Sequence, residues 1–196
     1  MKKIKKSILL VSVLCFMSFA PQIADLIKLA VESNHSTLQF SIPISNGITR
    51  VTGKFTDYSV DIDYLDNNLT KSNISVVIKA ESINTGIPDR DNHLRTKDFF
   101  EVETYPEITF ISDSITKNSD DFTVHGNFTM HGITKQLNFP IKMTGQDGKY
   151  TFGFTSRLTI NRIDYGVGEN FKHSAIENFL GENIDVEIDF WTKKRK

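Results

Sequence analysis

The segment Ile184-Asp-Val-Glu-Ile-Asp-Phe190, IDVEIDF, alternates apolar and acidic side chains without a break. Successive side chains of a β-strand point to opposite faces. This period of two therefore sets Ile184, Val186, Ile188 and Phe190 against Asp185, Glu187 and Asp189. The same period runs back through the chain. Its apolar members are Leu38, Phe40, Ile42 and Ile44, then Ile74, Val76, Ile78 and Ala80, then Phe122, Val124, Phe128 and Met130. Leu137, Phe139, Ile141 and Met143 follow, and then Phe152, Phe154, Leu158 and Ile160. Two weaker alternations lie near 51–62 and 108–115. Turn-forming residues separate the runs: Ser45-Asn46-Gly47, Asp66-Asn67-Asn68, Lys117–Asp121, His131-Gly132 and Gln146-Asp147-Gly148.

The reading is about eight antiparallel strands, each with one apolar face. Such strands fold as a sandwich or as a closed barrel. Closure removes the unpaired edges that invite aggregation. A barrel of about eight strands has an interior that side chains can just fill, or that holds one small ligand. Two stretches break the period, 87–106 and 161–182, and both read as long connections with a helical turn. Connections of this length in a compact domain usually cover or bind something.

The first of them is dense in charge: Asp89-Arg-Asp-Asn-His-Leu-Arg95. Asp89, Asp91 and His93 would share a face on a strand but splay around a helix. Pro88 before them, and Leu94, Arg95 and Lys97 after, favour a helix. Asp89 or Asp91 can cap it, with His93 and Leu94 at its start. Phe99 and Phe100 then turn inward, and Tyr105-Pro106 forces an extended backbone into the next strand. A structural clasp is thus preferred to a metal or catalytic site, and no metal ligand set is assigned.

The ends and the charge balance narrow the function classes. Lys2, Lys3, Lys5 and Lys6, an apolar run from Ile8 to Phe19, and Ser18-Phe-Ala20 form a secretory-signal pattern. The run is shorter than the roughly 20 residues that span a bilayer. Residues 1–20 are therefore expected as a signal peptide, 21–28 as a linker and 193–196 as a solvated basic tail; an uncleaved N-terminal anchor is the alternative. The formal net charge is −1, and it falls to −5 without the four leader lysines. That balance argues against nucleic acid, whose binding rests on neutralising phosphates. One cysteine, Cys15, excludes an intramolecular disulfide and a cysteine-based zinc site.

Several motifs resemble the YceI-like family. They are Glu32-x-x-His35-Ser36-x-Leu38-x-Phe40, Val51-x-Gly53-x-Phe55 and Asp91-x-His93-Leu94-Arg95-x-x-Asp98-Phe99-Phe100 with Tyr105-Pro106-x-Ile108-x-Phe110. Further on come Gly126-x-Phe128-x-Met130-His131-Gly132-Ile133-Thr134-Lys135 and Asn161-Arg162-x-Asp164-Tyr165-Gly166. The match covers about 29–192, taken as the barrel domain. It departs at the first strand, where Leu29 stands near a position that often holds Trp.

The resemblance implies an all-β fold, an eight-stranded antiparallel lipocalin-like barrel with a short helix and, from the chain reading, one long helical connection. It also implies secretion, most often to the periplasm, and a non-covalent polyisoprenoid or fatty ligand in the pore. No other cofactor and no catalytic residue is implied. The candidate lining is Phe40, Ile42, Val76, Ile78, Phe110, Phe128, Met130, Leu137, Phe139, Phe154, Leu158 and Phe190. Asp91, His93, Arg95, Phe99, Phe100 and Arg162 are candidates for the pore mouth or head group, with Asp91, His93 and Arg95 near the surface. Arg162 has a ready local partner in Asp164.

Two other readings stay open. The barrel could have a filled core and act as a stress-related or structural partner. It could also be an enzyme using His93, His125, His131 or His173, with His125 and His131 read as surface residues. A homodimer and a membrane-associated donor or acceptor of the ligand are compatible with the sequence.

Overall fold

A computed structural model describes residues 24–196. The signal expected at 1–20, with Cys15, lies outside the described residues.

Eleven strand segments follow one another: β1 (Leu26–Val31), β2 (Thr37–Ile44), β3 (Thr49–Phe55), β4 (Tyr58–Leu65), β5 (Asn68–Lys79), β6 (Ile83–Asn84), β7 (Glu107–Asn118), β8 (Asp121–Met130), β9 (Ile133–Asp147), β10 (Thr151–Asn161) and β11 (Asn183–Lys194). One α-helix, α1 (Pro88–Arg95), lies between β6 and β7. The ring of pairings runs β1–β4–β5–β7–β8–β9–β10–β11 and returns to β1, an eight-stranded closed antiparallel barrel. The extra segments come from two broken staves. β1 and β2 both pair with β11, on either side of a 3-10 turn at Ser33–His35. β3 pairs with β2 and β4 with β1, and the break between them falls at Thr56-Asp57. At that break Thr56 N donates to Ser82 O and Lys79 N to Asp57 O, so the backbone groups freed by the bend are satisfied.

The turns use the residues the sequence offered. Asp66 and Asn67, both at φ 52°, make the two-residue hairpin between β4 and β5. Two successive left-handed residues match the twist of the flanking strands. On the outer face, Asp185 and Asp189 of β11 meet Arg50 at 2.5 Å and Arg157 at 2.9 Å. These pairs are half-exposed and worth little individually.

Three expectations about the ends and connections change. β1 starts at Leu26, inside the stretch expected as a linker, because Ile27 is buried and pairs with Tyr64. The basic tail is not simply solvated. Lys193 and Lys194 belong to β11, Lys193 Nζ lies 2.7 Å from Glu32, and Arg195 N donates to Lys28 O. The 162–182 connection is not helical beyond a 3-10 turn at Ile163–Tyr165.

Closure joins the first stave to β11 in two ladders, Leu29–Val31 against Thr192–Lys194 and Thr37–Ser41 against Asp185–Asp189. Thr192 is 0% exposed, and its hydroxyl works in both directions. Oγ1 accepts from Phe152 N at 2.9 Å and donates to Tyr150 O at 2.9 Å. Thr192→Val keeps the shape and strands both backbone groups. It is expected to cost about 2–4 kcal/mol, read as a lower denaturant midpoint with an unchanged slope. An unchanged midpoint would mean the seam does not need the hydroxyl.

Candidate ligand pore and its mouth

The barrel interior has two halves of different character. At the end where β1, the end of β4, the start of β5 and the end of β11 meet, side chains fill it. Ile27, Leu29, Ile62, Tyr64, Leu69 and Phe152 are all buried there, with Leu29 and Phe152 each 1% exposed. Tyr64 and Phe152 meet edge to face at 5.0 Å between centroids. The other half is a cavity of about 540 Å3. A filled core is therefore not what this chain builds. The volume lies within the range of sites that take small organic ligands.

Eleven of the twelve candidate lining residues border that cavity: Phe40, Ile42, Val76, Ile78, Phe110, Phe128, Met130, Leu137, Phe139, Leu158 and Phe190. The exception is Phe154. It points inward as its parity requires, but it lies with Phe152 at 6.2 Å in the filled half. Parity tells inside from outside and says nothing of depth. Leu38, Phe55, Ile108 and Ile188 also border the cavity and follow the same period, so their signal was present. Phe171 and Phe179 border it from the irregular 162–182 connection, where no period marks them.

Tight glycines make room for the rings. Gly53 pairs with Phe40, and a Cβ on it would stand 2.5 Å from Phe40 Cζ and 2.9 Å from Thr85 Cγ2. Gly168, at φ +62°, would place a Cβ 2.6 Å from the Phe99 ring.

The charged stretch roofs one side of the mouth. Helix α1 begins at Pro88, earlier than the expected start at His93, since proline fits the first helical turn. No side chain caps it; the N-cap residue is Ile87. Asp91 is not near the surface either. It is 6% exposed, and its Oδ1 accepts from Thr85 N at 2.8 Å and from Thr85 Oγ1 at 2.5 Å. Arg95 Nε donates to Glu81 O at 2.7 Å and Nη2 to Ile83 O at 2.8 Å. The two residues fasten α1 to the segment before it. Phe99 and Phe100 are buried and border the pore, and Phe100 meets Phe55 edge to face at 6.1 Å. His93 stays exposed, 3.3 Å from Asp98, with its ring edge-on to Phe99 at 5.1 Å.

Arg162 does not pair with Asp164, which Lys135 holds at 2.8 Å. Its guanidinium is buried and bonds to backbone: Nε to Gly181 O at 2.8 Å, and Nη1 to Val167 O at 2.7 Å and Gly168 O at 2.6 Å. It thereby ties the two limbs of the 162–182 connection together. Burial pushes its pKa down, and Glu182 opposes that.

The histidines do not converge. His125 lies on the outer face between Thr116 and Asn138. His131, read as a surface residue, is largely covered instead. Its Nδ1 donates to Tyr165 O at 3.1 Å, and its ring lies 4.6 Å from Tyr105. His173 stacks on Phe179 at 4.2 Å. Among the described residues no three His, Cys, Asp or Glu side chains are placed to share a metal ion.

Comparison with known proteins agrees with this architecture. The family model of the YceI-like domain matches residues 29–191. A UPF0312 protein of Yersinia enterocolitica is 33% identical over 144 residues, 71% of this chain and 74% of that one. A crystal structure of a Campylobacter jejuni YCEI protein superposes with a TM-score of 0.65 at 28% identity, over 76% of this chain and 88% of that one. A polyisoprenoid binding domain from Saccharophagus degradans shares the fold, with a TM-score of 0.68 at 19% identity, over 86% and 99% of the two chains.

The clasp can be tested directly. Asp91→Ala and Arg95→Ala each remove hydrogen bonds to a charged group and are expected to cost about 2–3 kcal/mol. The loss should appear in thermal melts, with apolar probe binding retained once the variant is refolded. Normal stability with lost binding would assign these residues to the ligand instead.

Proposed function

The chain belongs to the YceI-like domain family, and from that premise we propose that it is a binding protein holding one long apolar molecule, a polyisoprenoid or a similar lipid, in the barrel. The observation that carries the reading is the cavity of about 540 Å3 bordered by aromatic and aliphatic side chains. Burying apolar ligand surface gains about 25 cal/mol per Å2. A chain burying roughly 400 Å2 would gain on the order of 10 kcal/mol gross, less the cost of ordering a flexible tail. Tight binding therefore does not demand a covalent link or a charged anchor.

The Saccharophagus domain, which shares the fold, is a polyisoprenoid binding domain. We carry that ligand class over as part of the proposal. We read the chain as a carrier and not an enzyme: among the described residues the histidines do not converge, and the Thr85 hydroxyl beside Asp91 is engaged in fastening α1, with Arg90 Nε donating to it as well. The lysine-rich leader with its apolar run supports secretion to the periplasm. A carrier there would exchange its ligand with a membrane-associated donor or acceptor.

Mass spectrometry of an organic extract from the natively purified protein tests the reading. One stoichiometric prenyl or acyl species is the expected result. An extract without lipid, from folded protein that also takes up no added lipid, would overturn it.

A further inference from the structure

The pore has a floor and a mouth of different chemistry, and together they restrict the ligand beyond its being apolar. The floor is closed. None of Leu29, Ile62, Tyr64, Leu69 or Phe152 borders the cavity, and all are buried behind it. Phe110 and Phe139, 5.1 Å apart, and Phe190, stacked on Tyr58 at 5.9 Å, border the cavity. A chain entering from the mouth has no path through the filled half. The tail that fits is therefore limited by the cavity of about 540 Å3 above that floor.

The mouth carries two arginines that form no direct ion pair, although Glu182 acts on Arg162 from farther away and Asp91 shares the Thr85 hydroxyl with Arg90. Arg162 is 6% exposed and borders the cavity, yet no carboxylate among the described residues lies within 4.0 Å of it. Its Nη2 has one long contact, 3.5 Å to Leu180 O. Two N–H bonds on that nitrogen thus share one poor acceptor, while the rest of the guanidinium is fully engaged. Arg90 also borders the cavity. Its Nε and Nη2 hold Thr85 at 2.7 and 2.9 Å, and its Nη1 has no hydrogen-bond partner among the described residues. Asp89 is the one carboxylate on the lining, against these two guanidinium groups and His93. A buried or half-buried guanidinium that no carboxylate contacts directly can still take an oxyanion, which it meets with hydrogen bonds to its free N–H groups.

We propose that the pore is a length gauge for single-chain amphiphiles with an anionic head: the tail ends against the aromatic floor, and a carboxylate or phosphate rests at Arg90 and Arg162. The inference rests on the binding reading above and deepens it. A neutral polyprenol leaves the arginines unmatched, and a much longer chain leaves its surplus outside the mouth.

The test uses delipidated protein and a series of straight-chain carboxylic acids, each with its matching alcohol, in displacement of a fluorescent fatty acid. Affinity should rise about fourfold per added methylene and then level off within the series, once the chain end meets the floor. The acid should bind at least about tenfold tighter than the alcohol of equal length, since a charged hydrogen bond contributes about 1.5–3 kcal/mol. Arg90→Gln should remove most of that difference. Val76→Phe, which narrows the pore, should move the break to shorter chains. Geranylgeranyl phosphate is the second arm: binding equal to the best acid would name a prenyl phosphate as a natural source, and much weaker binding would name a fatty acid. Affinity that climbs without a break, or equal binding of acid and alcohol, overturns the inference while leaving lipid binding intact. Failure of every chain to bind overturns the binding reading itself.

Discussion

The structure depends first on closing its sheet. Every strand has unpaired N–H and C=O groups on each side, and in an open sheet two edges would stay unsatisfied and sticky. The seam that removes them runs along β11 in two parts: Leu29–Val31 of β1 against Thr192–Lys194, and Thr37–Ser41 of β2 against Asp185–Asp189. It is reinforced at one point from inside, where the Thr192 hydroxyl serves both Phe152 N and Tyr150 O. The kink at Ser33–His35 lets the same first stave join β11 a second time through β2. The seam also joins the N-terminal strand to the C-terminal one, so the barrel can close only when the whole chain is present. That favours slow, non-local assembly over local nucleation.

Closure fixes an interior of limited width, and the side chains divide it. Tyr64 and Phe152 meet across one half with Leu29, Ile62 and Leu69 around them, and leave no room there. In the other half the inward residues are no smaller, and the two long connections line the mouth. Asp91 and Arg95 fasten α1 on one side, and Arg162 ties the 162–182 connection on the other. The two sides touch through Phe99 and Phe171 at 5.2 Å. Charged residues thus do structural work around an apolar pore. Each is satisfied mainly by backbone or hydroxyl groups, which leaves the guanidinium charges of Arg90 and Arg162 without carboxylate partners.

Much of the fold was legible because a strand's period of two is a local signal. Ile184 to Phe190 sorts into inner and outer faces with no knowledge of the rest of the chain. The turns were legible for the same reason, as at Asp66-Asn67, where left-handed backbone selects the residue type. Depth along the barrel was not legible, and Phe154 shows why: it obeys the parity of Phe128 and Leu158 yet sits in the filled half. The roles of Asp91 and Arg162 were hidden too. Their partners are the Thr85 hydroxyl and amide and the carbonyls of Val167, Gly168 and Gly181. A sequence advertises neighbouring acids and bases, whereas backbone carbonyls are present at every position and mark none. The strand at Leu26–Val31 was missed, and its first three residues fell in the stretch read as a linker.

The central claim is that one half of the barrel is a dry pore and the other a solid plug. A crystal structure determined under xenon pressure tests it most directly, because xenon enters apolar cavities and avoids close-packed cores. The account predicts xenon density among Phe40, Ile78, Phe110 and Leu137, and none among Ile62, Tyr64, Leu69 and Phe152. Xenon in the second group, or a first group collapsed so that none enters, would contradict it.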